Sequence, residues 1–104
     1  MESYDVVVLK GRIDSNTAPE LSEKLKCITD QKRYKIIFDI GDVNFVSSAG
    51  LRVFINLQKT CKKMNQGEVV MVNTPSRVYE TLELAGFAPL FKFYSDVNSA
   101  IEAF

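Results

Sequence analysis

A single α/β domain on a small, mostly parallel sheet of four to five strands, with about four helices, is the fold this sequence predicts. Three observations carry the prediction. β-branched apolar runs alternate along the chain with stretches whose apolar residues recur at three and four, the spacing of a buried helix face. The connections between them are short, and no segment reads as a linker, a repeat or low complexity. The chain has 104 residues, 46% hydrophobic and 25% charged, enough for one core and too few for two.

Taken in order, Tyr4 to Leu9 (YDVVVL) is nearly continuous in apolar residues and reads as a strand buried on both faces. Lys10 to Asp14 is its exit. Thr17-Ala18-Pro19-Glu20 has the form of a capping box with proline in the first turn. A first helix is therefore expected from about Ala18 to Thr29, with Leu21, Leu25 and Ile28 facing inward and Cys27 beside them. Tyr34 to Ile40 (YKIIFDI) is the second strand, after which Gly41-Asp42 turns the chain.

The central helix follows Asn44 to Ser48. Its apolar residues Leu51, Phe54, Ile55, Cys61 and Met64 share one face. Ser48 is its expected N-cap, with a hydroxyl that accepts from the N–H of Gly50 or Leu51. Asn65-Gln66-Gly67 should end it, with Gly67 as a left-handed stop. Glu68 to Val72 is the third strand, and Asn73-Thr74-Pro75 reads as a cap with proline at the first helical position. A third helix then buries Val78, Leu82 and Ala85 and closes at Gly86. Leu90 to Tyr94 is a short edge strand with Lys92 pointing outward. Asp96 caps a last helix carrying Val97, Ala100, Ile101 and Phe104.

Composition excludes several function classes. Thirteen basic and thirteen acidic residues cancel, and no Arg/Lys stripe is present, which argues against nucleic-acid binding. No apolar run approaches the ~20 residues of a membrane helix. Met1 is followed at once by Glu2, with no signal-peptide pattern, so a cytoplasmic location is expected. Cys27 and Cys61 lie far apart, each in an apolar helical pattern, and read as buried free thiols.

The chain has no histidine, which removes the commonest general base and metal ligand together. No constellation supports catalysis, and no cofactor or metal is expected. Asp14, Asp39 and Asp42 lie near strand ends, where they could gather as the cation-binding acids of a receiver domain do. The exit Lys-Gly-Arg after the first strand matches that pattern poorly. A hydrolytic Ser48 would lack a base within reach.

Two motifs carry a family resemblance. The first is SSAGLR after Phe45-Val46, and the second is Gly11-Arg12-Ile13-Asp14. Together with Asp39, they resemble the STAS domain of anti-sigma factor antagonists (anti-anti-sigma factors), over almost the whole chain from Asp5 to Phe104. That family's loop reads aromatic, apolar, Asp, Ser, Ser/Thr/Ala, Gly, Leu, and the serine after the Asp is phosphorylated. The resemblance implies the STAS fold with Ser48 as phosphoacceptor, and it places Ser47 where the family carries its Asp. The family's extra short opening strand has no counterpart before Tyr4.

The resemblance also implies partners: an anti-sigma serine kinase with a histidine-kinase-type ATPase fold, bound while Ser48 is unphosphorylated, and a metal-dependent serine phosphatase. Binding frees a sigma factor. The contact surface should combine Asp14, Ser15, Asn16 and Thr17 with Ser47, Ser48, Gly50, Leu51 and Arg52. Phosphate at a helix N-terminus is favoured by the dipole, so the switch belongs in the interface and not in unfolding. A free monomer is expected, because the sequence offers no long exposed apolar edge. Two other readings stay open within the family: regulation of a non-sigma output, and a small subunit of a lipid-transport complex.

Overall fold

The computed structural model describes residues 4–64 and 67–103. Four strands and four α-helices alternate: β1 (Asp5–Ile13), α1 (Ala18–Asp30), β2 (Lys35–Val46), α2 (Ser48–Lys62), β3 (Glu68–Val72), α3 (Ser76–Leu84), β4 (Lys92–Tyr94) and α4 (Val97–Ala103). A short 3₁₀ turn, Ala88–Leu90, precedes β4. The sheet order is β1-β2-β3-β4, with every neighbouring pair parallel.

That order dictates the layering. Three successive right-handed crossovers that all step the same way must place their helices on one face of the sheet. Accordingly Leu21 and Leu25 of α1, Leu51, Phe54, Leu57 and Cys61 of α2, and Val78 and Leu82 of α3 form one core with Ile36, Phe38 and Met71. Phe38 and Phe54 anchor it, with ring centroids 5.3 Å apart and planes tilted by 49°. Among the described residues the opposite face has only the helix α4, whose Ala100 and Val97 pack on Ile37, Val70 and Val72.

Several local expectations change in the folded chain. β1 is not buried on both faces: α4 does not reach it, and Val6 and Val8 remain 45% and 56% exposed. The premise of the expected monomer, that no apolar edge is exposed, does not hold there. Both β1 and β2 run on past their expected ends at Leu9 and Ile40. Lys10 pairs with Asp42, Gly11 with Val43, Arg12 with Phe45 and Ile13 with Val46, across two register shifts. Gly11 supplies a φ of 73° at the second shift, a region side chains rarely enter.

The ends of the helices differ as well. The Thr17 side chain makes no capping bond to α1. Gly67 is not left-handed; it is needed because a Cβ would collide with the Cys61 carbonyl and the Tyr34 side chain. Met64 lies beyond α2 and is exposed, and Cys27 is exposed on α1 whereas Cys61 is buried. Pro75 occupies the N-cap position of α3, ahead of the first helical residue, and Ala85 is exposed just past the end of that helix. Asn73 adopts a φ of 56° and gives its amide to Asp39. Gly86 does close α3 with a φ of 81°, and Asp96 does cap α4 by accepting from the Ser99 N–H at 2.8 Å. Lys92 does point outward, 3.7 Å from Glu68. Asn65, Gln66 and Phe104 lie outside the described residues.

Candidate functional site

The site sits where β1 and β2 extend beyond β3. β3 stops pairing with β2 at Asp39, so the last seven residues of β2 run beside β1 alone. Along that ribbon Ile40, Val43 and Val46 are buried while Asp42, Asn44 and Phe45 are exposed, a period of three made possible by the shifts against β1. The ribbon delivers its two ends together, with the Ser47 N–H donating to the Ile13 carbonyl at 2.8 Å. The Asp14 turn and the start of α2 are therefore neighbours.

The Asp14 turn is tightly bonded. One carboxylate oxygen of Asp14 accepts from the Asn16 N–H at 2.9 Å and the Thr17 N–H at 3.3 Å. The Thr17 hydroxyl accepts from the Asp14 N–H at 2.9 Å and donates to the Arg12 carbonyl at 3.1 Å. This side chain fastens the turn to its strand, which is why it is not available to cap α1. The Asn16 N–H chiefly, with the Thr17 N–H and the Arg12 guanidinium, holds the Asp14 carboxyl below its ordinary value. Arg12 lies 3.5 Å from Asp14 and stacks over the Phe45 ring, 4.3 Å from its centroid.

At the helix start the two serines divide the work. Ser47, extended at φ −86° and ψ 175°, is the N-cap, and its hydroxyl accepts from the Gly50 N–H at 3.3 Å. Ser48 is the first helical residue and is exposed. The expected cap is thus displaced by one residue, and the Ser48 hydroxyl is left facing solvent. The first turn of α2 contains no acidic residue, and Arg52, exposed, stands one turn on from Ser48.

Of the nine residues assigned to the contact surface, Ser15, Asn16, Thr17, Ser48 and Arg52 are exposed, and Asp14 and Ser47 are partly so. Gly50 and Leu51 are interior: a Cβ on Gly50 would lie 2.8 Å from both the Ile13 carbonyl oxygen and its Cγ2. They hold the site together from beneath. Arg12 and Phe45, absent from the expected surface, share the exposed face of the ribbon next to the serines. Their signal in the sequence is an aromatic directly before the loop, and an arginine inside Gly11-Arg12-Ile13-Asp14.

The three acids do not converge. Asp39 is engaged with Asn73 and the Gly41 N–H, and Asp42 lies opposite Lys10. Among the described residues no group of three or more acids or cysteines could hold a metal ion.

A parallel α/β sheet with its crossover helices on one face and an exposed serine at the start of the central helix defines the architectural class. The STAS domain family matches residues 2–100. A Bordetella bronchiseptica protein described as an anti-sigma factor antagonist, BtrV, is 30% identical over 99 residues, 95% of this chain and 84% of its own. The anti-sigma-B factor antagonist of Listeria monocytogenes is 26% identical over 86 residues, 83% of this chain and 75% of its own. The unphosphorylated anti-sigma factor antagonist SpoIIAA has the same fold, with a TM-score of 0.83 at 17% identity over 99% of this chain and 89% of that one. The chain belongs to the STAS domain family. No described helix is long and apolar enough to cross a membrane.

Proposed function

We propose that this protein is a cytoplasmic anti-sigma factor antagonist controlled by phosphorylation of Ser48. Unphosphorylated, it binds an anti-sigma serine kinase through the Asp14 turn and the exposed start of α2, and so releases a sigma factor. Phosphorylation by that kinase ends the binding, and a serine phosphatase restores it. The chain acts by binding and catalyses nothing itself.

One observation carries this reading: the Ser48 hydroxyl is exposed beside a rigid loop, because Ser47 has taken the capping role. A kinase can reach Ser48 without dismantling the helix end. Phosphate there adds about −1.5 to −2 charges. The helix N-terminus and Arg52 favour that charge within the free domain. In a closed interface the same charge is desolvated, at a cost of several kcal/mol. The similarity to proteins described as anti-sigma factor antagonists supports an anti-sigma factor as the partner.

The test is to incubate the protein with ATP and the serine kinases of its own genome, map the phosphate by mass spectrometry, and titrate both forms against the kinase. Phosphate on Ser48 with weakened binding is the expected result. Phosphate elsewhere, or equal affinity of the two forms, overturns the reading.

A further inference from the structure

The far end of α2 carries a second surface. Arg52, Lys59 and Lys62, followed by Lys63, are the charged residues of this helix and its C-cap, and no acid accompanies them, although the chain as a whole carries no net charge. Among the described residues, Lys59, Lys62 and Lys63 enter no ion pair, whereas Lys24, Arg33 and Lys92 each meet a carboxylate. The helix dipole accounts for cations in a last turn. It does not account for what lies beside them.

Between α2 and the 3₁₀ turn is a groove of about 430 Å³, lined by Ile55, Pro89 and Leu90 and by the three lysines. Leu90 is 43% exposed. The wall is fixed, because buried Gln58 donates to the Leu90 carbonyl at 2.7 Å and to the Val69 carbonyl at 3.0 Å, and accepts from the Val69 N–H at 2.7 Å. Its amide is spent on holding the turn against the helix and β3.

We propose that this groove docks an acidic segment of a protein partner, one that seats an apolar side chain on Ile55, Pro89 and Leu90 and sets carboxylates against Lys59, Lys62 and Lys63. An apolar floor with a cationic rim is the complement of such a segment. A concavity between a helix and a turn accepts an inserted side chain, whereas binding in a lipid surface buries a broad apolar helix face. The groove runs along the second half of α2, from roughly 10 Å from Ser48 at Ile55 to roughly 20 Å at Lys62, at 1.5 Å per residue. A partner bound there leaves the phosphorylation site open.

The test is an NMR titration of the full chain with a short synthetic peptide of glutamate and leucine at helical spacing. Shifts gathered at Ile55, Lys59, Lys62 and Leu90 are expected. Binding should weaken about tenfold on combining Lys59→Gln, Lys62→Gln and Lys63→Gln, exposed substitutions that leave the amide spectrum dispersed. Replacing the peptide's glutamates by glutamine should abolish binding. Shifts scattered over every lysine, unchanged affinity in the triple variant, or binding of phosphatidylglycerol vesicles in preference to the peptide would each overturn the proposal.

Discussion

The Ser47 N–H donates to the Ile13 carbonyl at 2.8 Å, and the same carbonyl oxygen would lie only 2.8 Å from a methyl group on Gly50. This hydrogen bond ties the end of β1 to the start of α2, so the Asp14 turn and Ser48 hold a fixed relation. A glycine one turn into the helix is what permits the approach.

Gly50→Ala should therefore destabilise the domain by about 1–3 kcal/mol, as overpacking does. It should also speed hydrogen exchange at the Ser47 amide more than at the Phe38 amide in the middle of the sheet. Equal stability of the two proteins in urea would show that Ile13 can move aside.

Ser47→Ala removes the cap and should cost about 1 kcal/mol, whereas Ser48→Ala should stay within about 0.5 kcal/mol of the parent protein. The order reverses for phosphorylation. Ser48→Ala should abolish phosphate incorporation, and Ser47→Ala should retain it. A phosphate mapped to Ser47 would contradict both assignments.

Ser48→Asp should leave the melting temperature equal or raised, since a first-turn negative charge contributes roughly 0.3–1 kcal/mol. Kinase affinity should fall. Desolvating that charge at a cost of even ~3 kcal/mol weakens binding more than a hundredfold. Differential scanning calorimetry and a binding titration on the same preparation separate the two effects. A melting temperature lowered by many degrees would make the switch an unfolding event.

Burial pushes the Cys61 thiol up to about 11. Thiolate is the reactive form, so Cys61 should be silent to a thiol reagent at neutral pH while exposed Cys27 reacts. One rapid equivalent is expected in native protein, and two in denaturant. Cys27→Ser should remove the rapid phase entirely.

The Asp14 carboxyl, held low chiefly by the Asn16 N–H, binds its proton less readily in the folded chain than in the unfolded one. Its contribution to stability is then fully present above the ordinary aspartate value of ~3.9. It is lost as pH falls through the lowered value. Asp14→Asn should therefore lose stability near neutral pH and converge with the parent protein in acid. Urea midpoints measured from about pH 6 down to about pH 2 give the difference. Asp96, also lowered by its Ser99 N–H, cancels in the comparison.

The alternation of strands and helices, the boundaries of β3 and the cap at Asp96 were legible in the residues, because each depends on local periodicity or a neighbour three positions away. The loop that carries Ser48 was legible too, from SSAGLR and the glycine within it. What the chain alone left undecided was which residues face which way once strands pair. Ile40, Val43 and Val46 recur at three, which reads as no strand until the shifts against β1 absorb the extra residues. Val6 and Val8 look like core until the sheet order leaves β1 beyond the reach of α4. Ser47 takes the cap from Ser48 because the bond to Ile13 fixes its backbone as extended, and a residue so held stands before the helix and not in it. Local sequence sets which elements form. Pairing across the sheet decides which face each side chain shows, and with it which serine is left exposed.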